Sequence, residues 1–176
     1  MKPVKEKEKY FSELVRTYQE RLYWHIRKIV LTHDDANDVL QNTFMKAWNG
    51  FDAFRGDSQI STWLYKIATN EALTFLSQQK QKMTSSIDEE NGNELLLQNL
   101  EADSYFDGDE TQLKLQKAIL TLPDKQRIVF NMRFYDDISY EQMSEILDTS
   151  VGALKASYHH AVKKVEKYLS DNDDII

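Results

Sequence analysis

The chain has 176 residues, 41% of them hydrophobic and 29% charged, with a formal net charge of −7. That is enough apolar material for one ordinary domain or two small cores, and the lack of Cys excludes disulfides, thiolate metal sites and a thiol nucleophile. The opening MKPVKEKEKYF has no apolar signal-peptide run and no stretch of about 18 apolar residues occurs, so a soluble, cytoplasmic protein is expected.

Five Gly, two Pro and long amphipathic runs without alternating β-branched stretches predict an all-α fold. Residues 10–31 carry the first helical pattern, and Asp34 or Asp35 is placed to cap a second, ANDVLQNTFMKAW. Its buried side is Ala36, Val39, Leu40, Phe44, Ala47 and Trp48. Asp38, Gln41, Asn42, Met45 and Lys46 then face outward, a surface suited to docking a partner. Gly50 and the run Arg55-Gly56-Asp57-Ser58 mark loops, after which Ser61 and Thr62 open another helix. Here Phe51, Phe54, Trp63, Tyr65 and Phe75 lie among Arg55, Lys66, Lys80 and Lys82. Aromatics beside cations suit single-stranded nucleic acid, whose bases stack and whose phosphates seek charge; the same aromatics at helical spacing also suit a core.

Residues 84–110 hold nine acidic residues and no Lys or Arg. Without that segment the rest of the chain sums to +2, so the acidity is local and reads as a solvated linker. The expected organisation is therefore two small helical domains, 1–83 and 111–176, joined by an acidic linker over 84–110.

In the second domain a helix from Thr111 stops at Leu122-Pro123, a second follows through DKQRIVFNMRFY, and Asp136-Asp137 end it. Ser139 is placed to start a short helix bearing Met143, Ile146 and Leu147, and Asp148-Thr149-Ser150 turn into a final helix capped by Ser150. That helix buries a stripe from Val151 and Leu154 to Tyr168 and Leu169, leaving Lys155, Ser157, His159, His160, Lys163 and Lys164 on the other side. A short helix, a three-residue turn and a longer helix with cationic, hydrogen-bonding side chains form a helix-turn-helix, whose second helix reads the DNA major groove. The lysines suit phosphates; Ser157 and the two histidines suit base edges. His159 and His160 diverge by about 100° on a helix and do not converge on a metal, so no metal or cofactor is expected.

Three phrases in this order, DDANDVLQNTFMKAW, FRGDSQISTWLYKIATNEAL and LPDKQRIVFNMRFYDDISYEQMSEILDTSVGALKASYHHAVKKVEKYL, resemble the extracytoplasmic-function sigma factors of bacterial RNA polymerase. The resemblance spans nearly the whole chain. It implies that Asp38, Gln41, Asn42, Met45 and Lys46 dock on the largest polymerase subunit. It implies further that Arg55, Ser58, Ile60, Ser61, Thr62 and Trp63 engage the melted non-template promoter strand. Asn70 and Thr74 would border a pocket for an extruded base, with Lys66 and Lys80 on phosphates. Arg133 would hold phosphate, and Lys155, Ser157, His159, His160, Lys163 and Lys164 would meet the distal duplex element. Core polymerase, promoter DNA and an anti-sigma protein are the implied partners of a chain that is monomeric when free and not an enzyme.

The chain departs from the family pattern where Asn42 stands in place of Glu, Ala156-Ser157 in place of Ser-Arg, and His160 in place of Arg. Losing guanidiniums removes bidentate guanine contacts, so weak, salt-sensitive DNA binding by the chain alone is expected. Two other readings are distinguishable. A conventional helix-turn-helix regulator would bind duplex DNA as a homodimer. A His-Asp phosphohydrolase, suggested by His33-Asp34, would need further ligands beyond His25 and the 159/160 pair.

Overall fold

The computed structural model describes residues 4–84 and 109–172, and the described residues are helical with no strand. Most of the acidic segment lies outside them. Helix α1 spans Val4–Val30, α2 His33–Gly50 and α3 Ile60–Thr84, with a 3-10 turn at Phe51–Ala53. The second group comprises α4 Glu110–Leu120, α5 Asp124–Phe134, α6 Tyr140–Leu147 and α7 Val151–Asn172.

Helix α1 ends at Leu31, whose N–H still bonds the Arg27 carbonyl at 2.9 Å but whose φ of 74 turns the following chain out of the helix. A left-handed leucine costs about 1–2 kcal/mol, and burial of the Leu31 side chain offsets that by about 1.5–3 kcal/mol. The cap of α2 is Thr32 rather than the expected Asp34 or Asp35. Its hydroxyl accepts from the Asp35 N–H at 3.2 Å and donates to the Asp35 carboxylate at 2.6 Å, so one pair satisfies both groups. Asp109 caps α4 through the Gln112 N–H at 2.8 Å. Pro123 stands at the N-cap of α5. Ser139 and Gln142 form a reciprocal capping box on α6. Asp148, at φ 49, turns the chain after α6, and the Ser150 hydroxyl accepts from the Ala153 N–H at 3.2 Å to open α7.

Helices α1, α2 and α3 pack on one another, and α4, α5 and α6 pack around α7. A small second core forms from Ala118, Ile119, Leu122, Phe130, Ala161 and Val165. The larger core is shared by both groups: Leu22, Ile26, Leu64 and Ala68 join Ile128, Met132, Met143 and Ile146 in one cluster. Packing of α3 on α6 and of α1 on α5 makes that junction. The placement of the two groups, which the sequence left open, is thus a docked one.

Candidate polymerase and promoter interfaces

On α2 the spacing 38, 41, 42, 45, 46 lays Asp38, Gln41, Asn42, Met45 and Lys46 along one stripe, and all five are exposed. Met45 is 57% exposed, an apolar group in a polar surround. Lys46 donates to Glu71 on α3. On the opposite side Ala36, Val39, Thr43 and Ala47 are buried. Thr43, which the sequence pattern did not place in the core, satisfies its hydroxyl on the Val39 carbonyl at 2.7 Å.

The loop from α2 to α3 turns at Gly56, whose φ of 77 suits a residue without a Cβ. Trp63 packs on Phe54 with ring centroids 5.0 Å apart. Together with Gly50, Ala53, Arg55, Asp57 and Ser58 they line a cleft of about 290 Å³. Arg55 is exposed, and Ser58, Ile60 and Ser61 are half-buried. Thr62 is only 5% exposed and belongs to the packed side of α3. Asn70 and Thr74 are exposed on α3 and lie outside that cleft. Phe54, which the sequence left among possible core aromatics, could not be assigned to a concave wall because its partner Trp63 sits on a different element.

Lys66 and Lys80, on the exposed rim of α3, both reach across to the second group. Lys66 Nζ donates to Asp148 at 2.9 Å, and Lys80 Nζ to Asp124. Gln142 Nε2 donates to Gln59 at 3.1 Å on the same seam. At its buried centre Asp136, 7% exposed, accepts from His25 Nδ1 at 2.9 Å and from Lys28 Nζ at 2.7 Å. His25 Nε2 lies 2.9 Å from the Thr69 hydroxyl, so one imidazole ties α1 to α3 and to the end of α5.

Burial would push the Asp136 carboxyl up, but the hydrogen bond and charge of His25, followed by those of Lys28, outweigh it and hold the group below its ordinary value. Burial, and then the charge of Asp136, push the nearby Tyr65 hydroxyl up to about 12. A carboxyl depressed by docking stabilises the docked state above its ordinary value, and that contribution is lost as pH falls through the depressed one. Calorimetric melting temperatures of the wild type should therefore fall more steeply than those of Asp136→Asn as pH is lowered through the carboxylate range. Parallel curves would contradict this role for Asp136.

In the helix-turn-helix, the three-residue turn joins α6 to α7, and Lys155, His159, His160, Lys163 and Lys164 are exposed, with Ser157 half-buried. Lys164 donates to Gln126 at 3.1 Å. Arg133 is held by Asp137 at 3.0 Å and lies 5.5 Å from the centre of the Tyr140 ring. Lys155 approaches the same ring at 5.7 Å. Tyr140 thus organises two cations at the mouth of the motif, a role sequence spacing did not reveal. No group of His, Asp and Glu fit to hold a metal occurs among the described residues. Nor is any described helix long and apolar enough to cross a membrane.

The described residues thus form two helical units, one carrying a helix-turn-helix and the other an aromatic cleft beside an exposed polar helix face. Residues 14–82 match the model of Sigma-70 region 2, and residues 112–165 that of Sigma-70 region 4. The chain is 31% identical over 169 residues to the ECF RNA polymerase sigma factor SigW of Bacillus subtilis, covering 92% of this chain and 89% of that one. It is 31% identical over 165 residues to the ECF RNA polymerase sigma-E factor of Salmonella typhimurium, covering 90% and 86%. Among solved structures, the sigma factor RpoE of Bartonella quintana, in complex with the anti-sigma factor NepR, shares its fold with a TM-score of 0.69 at 23% identity, over 93% of this chain and 99% of that one. The chain belongs to the extracytoplasmic-function RNA polymerase sigma factors. Its function is that of the family: it binds core RNA polymerase and directs promoter recognition and the initiation of transcription.

Proposed function

We propose that the three exposed surfaces divide this work among themselves. The α2 stripe of Asp38, Gln41, Asn42, Met45 and Lys46 docks on polymerase. Arg55, Ser58, Ile60, Ser61, Trp63, Lys66, Asn70, Thr74 and Lys80 serve the melted non-template strand, with Thr62 supporting them from within α3. An extruded base is received beside Asn70 and Thr74, or in the cleft of the α2–α3 loop, where Phe54 and Trp63 offer ring faces for stacking. Arg133, Lys155, Ser157, His159, His160, Lys163 and Lys164 meet the distal duplex element. The working division of the chain is 1–83, 84–110 and 111–176.

The observation that carries this reading is that the exposed α2 stripe, the lining of the aromatic cleft and the exposed α7 cations are three different sets of residues. A single DNA-binding regulator has no need of the first two. With Ser157 and His160 in place of guanidiniums, each DNA contact is weak, and tethering both to one polymerase supplies the affinity through effective concentration. The chain works in the cytoplasm as a monomer and makes or breaks no covalent bond. An anti-sigma protein is a fitting partner: Trp24, 49% exposed, and Tyr135 border a cleft of about 540 Å³ at the seam between the two groups, an apolar opening suited to a protein side chain.

The test is transcription in vitro by purified core polymerase on fragments of the source genome, with and without the chain. New start sites that require the chain support the reading. Identical transcript patterns in both arms would refute it.

A further inference from the structure

The seam cleft of about 540 Å³ has the size of a small-molecule site, and junctions between packed units are where such sites form. One face of α1 and the residue after it supply most of the wall: Glu20, Trp24, Arg27 and Leu31 recur at steps of three and four, with Arg21 and Lys28 beside them. Tyr65 of α3, Gln116 of α4, and Tyr135 and Asp136 at the end of α5 complete it.

Aromatic area in this cleft is both ordered and uncovered. Trp24 is 49% and Tyr135 39% exposed. The Trp24 ring meets Tyr23 edge-on with centroids 5.1 Å apart, and the Tyr135 hydroxyl accepts from Gln116 Nε2 at 3.0 Å. Faces already held in place lose little freedom when a ring stacks on them. The polar groups also point to a ligand. Tyr65 is only 6% exposed, yet its hydroxyl makes no hydrogen bond to another of the described residues. Burial, then the charge of Asp136, keep that hydroxyl protonated up to about 12, with Arg21 near enough to oppose them, so it stays a donor. Arg21, Arg27 and Lys28 face Glu20 and Asp136, and Asp136 is already bound by His25 and Lys28. The cleft is therefore cationic in a chain of net charge −7. Arg21, exposed at its mouth, has no carboxylate partner among the described residues.

We infer that this cleft binds a small aromatic anion, a flat ring carrying one acidic group. The ring stacks against Trp24 and Tyr135, the Tyr65 hydroxyl donates to an acceptor on it, and Arg21 takes the acid in a charge-assisted pair. A guanidinium suits phosphate and carboxylate alike, so nucleoside monophosphates and aromatic carboxylic acids share the required chemistry. None of the residues assigned to polymerase or to DNA lines the cleft, so the site is separate from those surfaces. Its lining comes from both helical units, and an occupant stabilises their packing by mass action. The chain thereby gains an input from a small molecule that needs no protein partner.

The test is isothermal titration calorimetry of the full chain with guanosine monophosphate and with naphthoate, and with guanosine and inorganic phosphate as the separated halves of the first. At least one of the two acids should bind at a single site, and the tighter one identifies the source of the anion. Guanosine and phosphate should each bind at least about ten-fold more weakly than the nucleotide if that is the tighter acid, since each half lacks either the ion pair or the stacking. Arg21→Ala and Trp24→Ala, both at exposed positions, should weaken binding about ten-fold, and Tyr65→Phe about five-fold. Arg21→Lys should recover part of the loss, because the charge returns without the planar fork. Saturation should also raise the melting temperature of the wild type more than that of Trp24→Ala. Neither heat nor a rise in melting temperature with both acids at millimolar concentration would overturn the site. Binding that all three variants leave unchanged would place the anion elsewhere and overturn it equally. Guanosine binding as tightly as its phosphate would show that charge plays no part, and the anion assignment would fall.

Discussion

Replacing Met45 by Asp should weaken binding to core polymerase by about thirty-fold, equivalent to ~2 kcal/mol, while leaving the melting temperature of the free protein nearly unchanged. The reasoning starts from exposure. Met45 stands 57% open on α2 with Asp38, Gln41 and Asn42 around it. A flexible apolar side chain ringed by polar ones has the form of an interface anchor, because the ring excludes water once a partner covers it. A carboxylate there would be desolvated on docking without a matched cation. Since the position is outside both cores, stability should change by no more than about 0.5 kcal/mol. Titration of labelled core polymerase against both proteins, with calorimetry of each alone, checks the two halves together. A large loss of stability, or unaltered affinity, would remove Met45 from the interface.

The second large effect is expected on folding. Leu154, 1% exposed on α7, packs in the core cluster that also contains Met143 and Ile146 of α6. Leu154→Ala removes buried methyl groups and leaves a cavity, a loss of about 3 kcal/mol against a typical total of about 5–15 kcal/mol. The damage is directional, because α6 is fixed between α7 and α3. Loosening it relaxes both the angle of the helix-turn-helix and the seam to the first group. Urea denaturation followed by circular dichroism should therefore show a lower midpoint, and transcription that depends on the distal duplex element should fall. Docking on polymerase through α2 should survive at temperatures where the protein remains folded. Unchanged denaturation would mean that the site collapses around the smaller side chain.

What the sequence revealed and what it hid follow from range. Features set within a few residues were legible: the helix start at Ser139, the Ser150 cap, the turn at Asp148 and the outward stripe of α2 all follow from spacing alone. The capping error at α2 was also local. Asp34 and Asp35 are good caps by type, but the left-handed Leu31 delivers Thr32 to the cap position and leaves Asp35 as its reciprocal partner.

The seam was not legible, because its central bond joins His25 to Asp136 across 111 residues and periodicity carries no signal at that range. Buried polar groups were missed for a related reason. Thr43 and Thr69 look like surface residues by type, yet each returns its hydroxyl to the carbonyl four residues back and so packs as an apolar side chain would. Asp136, read as a helix breaker, also became the buried centre of the docked arrangement. Two roles at one position overlap in sequence and separate only in three dimensions.

The sharpest measurement is permanganate mapping of unpaired thymines on a promoter-bearing duplex incubated with core polymerase, this chain, or both. Reactive thymines just upstream of the transcription start only when both proteins are present would match a factor that opens promoters while riding on polymerase. A fully paired duplex in the combined sample, with a symmetric footprint produced by the chain alone, would contradict it.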